Sequence, residues 1–196
     1  METTYPLTFS VDYPDRQLSR LSTLFRLFAA IPIYIVLATL SGGGSIGAGL
    51  LFFGPLLMIL FRRKYPRWWF DWNLELLRFT NRVGVYAVLM DDRYPSTDDP
   101  QAVRLDIVYP DAQRDLNRWL PLVKWFLAIP HYVVLLFLLI GALVTIVIAW
   151  FAILFTGRYP RGLFEFIEGV IRWSNRVTAY AFVLVTDAYP PFRLGS

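Results

Sequence analysis

The chain has 196 residues, 56% of them hydrophobic and 17% charged, with a formal net charge of +4 and a mean hydropathy of +0.46. A soluble domain is about 45–50% apolar and about 25% charged, so this balance points to a membrane protein. The mild positive charge suits anionic headgroups and is too small to suggest nucleic acid. The absence of cysteine excludes disulfides, thiolate metal sites and cysteine nucleophiles.

The first element is a short alternating stretch. Leu7, Phe9 and Val11 face one way, Thr8, Ser10 and Asp12 the other, which reads as a strand. Residues 27–61 then carry no charge or histidine, enough to enter a bilayer whose core needs roughly 20 helical residues. Ser41 to Gly49 interrupts this stretch with glycines, predicting a hairpin: helix A to about Leu40, helix B to Phe61. Leu50 to Phe61 covers only about 18 Å as helix, so the hairpin either spans with flanking help or is re-entrant. Pro32 is placed to kink helix A near the interface. The stretch follows a polar, partly acidic start without a cleavage-site pattern, unlike a signal peptide. Next, Trp69, Trp72, Leu76, Phe79, Val83, Tyr86 and Met90 form a stripe against Asp71, Glu75, Arg78, Asn81 and Arg82. That pattern predicts an amphipathic interfacial helix with its charges solvated.

After a polar linker the pattern returns. Val103, Leu105 and Ile107 alternate with Arg104 and Asp106, and residues 125–155 hold no Asp, Glu, Lys or Arg and one histidine, His131. Pro130 stands where Pro32 does, and Gly141 marks the expected hairpin turn, with helix A to about Ile140 and helix B to Phe155. Leu163, Phe166, Val170, Trp173, Val177, Tyr180 and Leu184 form the second stripe. The echoes are also literal: Tyr65-Pro66-Arg67 and Tyr159-Pro160-Arg161, Asn81-Arg82-Val83 and Asn175-Arg176-Val177, Ala30-Ile31-Pro32 and Ala128-Ile129-Pro130. The chain reads as a tandem duplication, with units 1–95 and 103–196 and a linker 96–102. The expected fold is an all-α integral membrane protein of two parallel repeats. Each repeat has a short N-terminal strand, a transmembrane or re-entrant helical hairpin and an amphipathic interfacial helix. Parallel repeats put both basic clusters on one side, which the positive-inside tendency makes cytoplasmic. Both termini are then cytoplasmic in a multi-pass protein of a bacterial inner membrane.

Ile129-Pro130-His131-Tyr132, Thr156-Gly157-Arg158-Tyr159-Pro160-Arg161-Gly162, Arg172-Trp173-Ser174-Asn175-Arg176-Val177 and Ala188-Tyr189-Pro190-Pro191-Phe192 resemble the bacterial membrane family called domain of unknown function 4389. The resemblance covers the second unit almost entirely and the first more loosely. The first unit departs at Arg62-Arg63-Lys64 and at Ile33 in place of His131. The resemblance implies a membrane location and no activity.

The candidate functional residues are basic. Arg62, Arg63, Lys64 and Arg67 stand beside Tyr65, Trp68 and Trp69 where helix B leaves the apolar stretch, and Arg158 and Arg161 take the matching place. Arg78, Arg82, Arg172 and Arg176 recur on the amphipathic helices. These ten are expected to contact lipid headgroups or a partner; for the sets Arg78/Asn81/Arg82 and Arg172/Asn175/Arg176 the alternative is pairing with Asp92 and Asp187 within their own unit. His131 is a weak candidate for a pigment or haem ligand, since the matching residue is Ile33. No metal site is expected without clustered ligands, and no cofactor. Asp71, Glu75, Glu165 and Glu168 read as partners of nearby arginines rather than as catalytic pairs, Glu168 to Arg172 being the favourable i,i+4 orientation. Proton-coupled transport is disfavoured by the absence of carboxylates in the apolar stretches. The sequence therefore points to a non-catalytic accessory or scaffold subunit of a larger membrane complex, with neighbouring membrane-protein subunits as partners. An anionic-lipid-binding protein and a small oligomeric channel are the alternatives.

Overall fold

The computed structural model describes residues 5–40, 52–97, 99 and 101–195. The two alternating stretches form strands and pair with each other. Strand β1 (Leu7–Val11) runs antiparallel to β2 (Val103–Ile107), with Phe9 opposite Leu105 at the centre. Leu7, Phe9, Val11, Leu105 and Ile107 enter the core, while Thr8, Ser10, Arg104 and Asp106 stay exposed. A lone two-stranded ribbon is marginal in water. Here its apolar face is covered by helices.

Helix α1 (Arg20–Ala29) starts at Ser19, whose hydroxyl accepts from the Ser22 N–H. The chain breaks at Ala30 and resumes as α2 (Ile31–Leu40), the two axes bent by 44°. Pro32 is the second residue after the break, where its missing N–H is least costly. The glycine-rich turn expected at Ser41 to Gly49 lies outside the described residues. Helix α3 (Phe52–Arg62) ends in a π-helical turn, and α4 (Arg67–Ala87) follows Pro66. Past β2 come a 3-10 turn (Leu120–Leu122), α5 (Lys124–Leu127), α6 (Ile129–Thr156) and α7 (Arg161–Thr178), which closes in a π-helical turn at Ala179–Val183. The break at Ala128 precedes Pro130 as the break at Ala30 precedes Pro32.

The hairpin expected within residues 125–155 does not form. α6 is one helix of 28 residues, about 42 Å long, and passes Gly141 unbroken. A single glycine costs a helix only about 1 kcal/mol relative to alanine, and here it serves packing: a Cβ at Gly141 would stand 3.6 Å from the Phe166 ring. The hairpin that does form is α6 with α7. They lie antiparallel, with Gly141 against Phe166 and His131 bonded to Trp173. α6 is long and apolar enough to cross a membrane, and α1 with α2 passes the same test if counted as one bent span. Leu136, Phe137, Leu143, Val147, Phe151 and Phe155 are among its exposed apolar residues.

The polar faces of α4 and α7 are solvated at their N-terminal ends, where Asp71, Glu75 and Glu165 stay exposed, but not further along, contrary to the sequence expectation. Asn81, Arg82, Asn175 and Arg176 are buried, Arg176 at 2% exposure, because both sides of each helix are covered. The ribbon rests on α4 and α7, β2 on the former and β1 on the latter, while α2 packs on α4 and α6 on α7. On α7, Glu168 and Arg172 reach the ribbon whereas Phe166 and Trp173 meet α6, roughly 100–160° apart round the helix at 3.6 residues per turn. The molecule is therefore layered: ribbon, then α4 and α7, then α6 with α1 and α2.

Candidate functional site

The echoed residues meet reciprocally. Asn81 Nδ2 donates to Asn175 Oδ1 at 3.0 Å, and Asn175 Nδ2 to Asn81 Oδ1 at 2.7 Å. The Tyr13 hydroxyl donates to the Tyr159 carbonyl, and the Tyr109 hydroxyl to that of Tyr65. Such i-to-j and j-to-i pairing is that of an isologous contact. It fixes where the ten basic candidates lie, and they divide by burial.

Four of them hold the fold together. Arg172 Nε donates to the Phe9 carbonyl and Arg78 Nε to that of Leu105, both at 2.9 Å. In an antiparallel pair alternate residues point their backbone groups outward, so these two side chains occupy the open edges of the ribbon and block further strand pairing. Glu168 completes one edge by accepting from the Val11 N–H, and bonds Arg172 at 2.6 Å as the i,i+4 spacing implied. Arg82 Nη1 donates to the carbonyls of Ser96 and Thr97 at 3.0 Å, and Arg176 donates to those of Arg193 and Gly195. Burial, with Arg172 and Arg193 nearby, pulls the pKa of Arg176 down. These arginines do not pair with Asp92 or Asp187. Asp92 is held by Arg16 and Asp187 by Lys124, because the arginines face the ribbon and the chain that follows each helix.

The other six are exposed. Arg62 ends α3, and Arg63 follows with φ of 47°, a left-handed conformation costly for a residue with a Cβ. The matching position holds Gly157, at φ 72°. Lys64 leads into Tyr65, which is buried and donates to the Val183 carbonyl at 2.7 Å. Arg63, Lys64, Tyr65 and Pro66 form one wall of a groove of about 620 Å³. Tyr109, Pro110 and Asp111 form the other. Among the described residues no carboxylate pairs with Arg62, Arg63, Lys64 or Arg158. Arg67 pairs with Asp71 and stacks over the Tyr109 ring, its Cζ 4.7 Å from the centroid. Arg161 pairs with Glu165 and stacks over Tyr13. Trp68, next to this corner, is 67% exposed. The groove is open, positively charged and rimmed by aromatic rings, a setting for phosphate-bearing headgroups.

His131 is fully buried, stacked on Phe192 at 4.0 Å, and its Nδ1 accepts from the Trp173 indole N–H at 3.0 Å. A metal-bound imidazole donates from its second nitrogen to an acceptor. Facing an indole donor, Nδ1 cannot do so, which argues against haem ligation through Nε2. The first half places Ile33 and Phe79 in one apolar cluster at this position.

Sequence reasoning missed two buried cations. Lys124 is fully buried, donates to the Thr186 carbonyl at 2.7 Å and pairs with Asp187 at 2.6 Å. Burial pushes its pKa down and Asp187 pulls it back up. Arg26 is 1% exposed and donates to the carbonyls of Tyr86 and Asp91. The signal was present: each stands just before its charge-free stretch, four residues ahead of the shared Ala-Ile-Pro.

No curated protein and no solved structure matches the chain. A family model described as Domain of unknown function (DUF4389) matches residues 119–193. That segment runs from the 3-10 turn through α5, α6 and α7 to the chain that Arg176 clamps, and it leaves the ribbon outside. Over residues 119–193 the chain is similar to that family.

Proposed function

We propose that the protein is a non-catalytic membrane module that lies in one leaflet and binds anionic headgroups through its basic corner. The observation that carries this reading is the height of the ribbon. β1 stands beside the part of α7 that faces the middle of α6, and there Arg104 and Asp12 form an exposed ion pair at 3.0 Å. Were α6 to cross the bilayer upright, that pair would sit near the hydrocarbon centre, where charge is expensive. With the layers parallel to the membrane, α6, α1 and α2 enter one leaflet and the ribbon faces water. A helix is about 10–12 Å across and half the hydrocarbon core is about 15 Å, so the fit is good. Tyr5, Gly195 and both basic corners then share one side, as the charge asymmetry suggested, with Arg62, Arg63, Lys64 and Arg158 at the rim. Asp71, Glu75, Glu165 and Glu168 each have an arginine partner, which favours binding over catalysis.

Two measurements test it. Spin labels at Leu136, Leu143 and Phe151 should report similar depths; a profile deepest at Leu143 and shallow at both ends would mean an upright span. Each basic residue at an anionic surface contributes roughly 1 kcal/mol. Replacing Arg62, Arg63 and Lys64 together by Gln should therefore weaken binding to phosphatidylglycerol vesicles by roughly a hundredfold at low salt. The double variant Arg82→Gln/Arg176→Gln should lose thermal stability while its folded fraction binds normally. Unchanged vesicle binding by the triple variant sinks the headgroup reading.

A further inference from the structure

A second cavity lies away from the basic corner. It is a crevice of about 250 Å³ between α1 and α6, walled by Leu24, Leu27, Leu89, Ile146, Val147 and Trp150, with Arg26 also in its lining. Leu24, Leu27 and Val147 are 47%, 78% and 55% exposed, so the mouth is apolar and open on the lipid-facing layer. The guanidinium is committed on one side only. Nη1 donates to the carbonyls of Tyr86 and Asp91 at 3.0 and 2.8 Å, and one face lies over the Tyr86 ring. Nε is buried without a partner among the described residues, and Nη2 makes one long bond, 3.3 Å, to Ser22 Oγ. Nε and Nη2 form the fork that binds a carboxylate or phosphate through two parallel bonds.

Charge around Arg26 is also unbalanced. The carboxylates near it are Asp91 and Asp92. Arg16 pairs with both, and Arg93 with Asp91. Three guanidinium groups thus face two carboxylates, and Arg26, the buried one of the three, has no ion-pair partner among the described residues. The matching cation, Lys124, has one in Asp187. A buried unpaired charge is costly, and an orphaned buried N–H adds to that cost.

We propose that the crevice is a binding site for a single acyl chain bearing an anionic headgroup, with the headgroup held on the Nε and Nη2 edge of Arg26. The walls take the chain, and the anion supplies the missing charge and the missing acceptor. A fatty-acid carboxylate and a lipid phosphate share this chemistry. The site rests on the lipid-facing placement of α1 and α6 and is distinct from the basic corner.

Trp150 in the wall makes the test optical. The whole protein, in mild detergent, is titrated with brominated stearate, with its methyl ester and with brominated phosphatidylglycerol, while tryptophan emission is followed. Stearate should quench saturably, and the saturable part should vanish in Trp150→Phe. Arg26→Lys keeps the charge but loses the fork and should weaken binding about tenfold. Val147→Phe narrows the mouth at an exposed position, leaves Arg26 intact, and should weaken it as well. Saturable quenching by brominated phosphatidylglycerol alone, with the same dependence on both variants, supports the site and makes the headgroup a phosphate. Equal quenching by the methyl ester, or quenching that never saturates, overturns it. Resistance of the protein to alkaline extraction from membranes is measured in parallel, so a failure of membrane placement is told apart from a failure of the crevice.

Discussion

At the scale of single residues, the left-handed backbone at Arg63 is informative because the same conformation is glycine at position 157. A non-glycine residue in that region costs about 1–2 kcal/mol, part of which returns as lower freedom of the unfolded chain. Arg63→Gly should raise thermal stability by about 0.5 kcal/mol or more while weakening anionic vesicle binding. A variant that is less stable would show that the arginine side chain contributes to the fold. The buried tyrosines give a pH dependence. Burial raises the phenol pKa of Tyr65 and of Tyr159 above the ordinary 10.0, with Tyr109 adding to the effect at Tyr65. Above about pH 10 the unfolded chain sheds these protons and the folded one keeps them. The unfolded state then binds fewer protons, and stability falls as pH rises. Denaturant midpoints in detergent should hold steady up to that point and drop beyond it, and Tyr65→Phe should flatten the drop.

At the scale of elements, the two long polar-faced helices end alike despite unequal lengths. Leu89 and Leu184 both take positive φ. Ahead of Leu89 the chain closes with Met90 N–H on the Val85 carbonyl; ahead of Leu184 it closes with Val185 N–H on the Ala179 carbonyl, one residue longer. The extra residue is absorbed in the π-helical turn Ala179–Val183, the usual form of such an insertion. Both ends then present the same acceptor, the Asp91 carbonyl to Arg26 and the Thr186 carbonyl to Lys124. Deleting Phe182, which is 48% exposed, should shorten this turn to its counterpart's form and leave the protein folded with little change in melting temperature. Deleting Ile171 inside α7 should unfold it, by turning Trp173, Asn175 and Arg176 away from their partners. Comparable losses from both deletions would mean that the π turn is not a separable insertion.

For the whole molecule, the ribbon exchanges partners between the halves. β1 is bonded to α7 through Phe9 and Arg172, and β2 to α4 through Leu105 and Arg78. Each half therefore supplies the strand that covers the other's helix. Residues 1–97 and 98–196, expressed as separate chains, should co-purify when made together and aggregate or be degraded when made alone, since each would expose the apolar face of its strand. A soluble, cooperatively melting second half on its own would show that the exchange is dispensable.

The sequence by itself determined the local elements. Period-two alternation set both strands, prolines fixed the breaks before α2 and α6, and the Glu168–Arg172 spacing set an ion pair that formed, because each depends on residues a few positions apart. The echoes also marked which residues hold matching places. Only the tertiary structure decided what those residues meet. Periodicity puts Arg82 on the polar side of one helix and Asn175 and Arg176 on that of another, but does not show that a ribbon and trailing segments cover those sides and bury them. It marks Gly141 as a candidate turn, but not that Phe166 from another helix packs against it. It sets Arg26 just before an apolar stretch, but not that two carbonyls from residues 86 and 91 receive it while the residue lines a crevice. Burial and pairing are sums over distant contacts, and a one-dimensional pattern carries only the near ones.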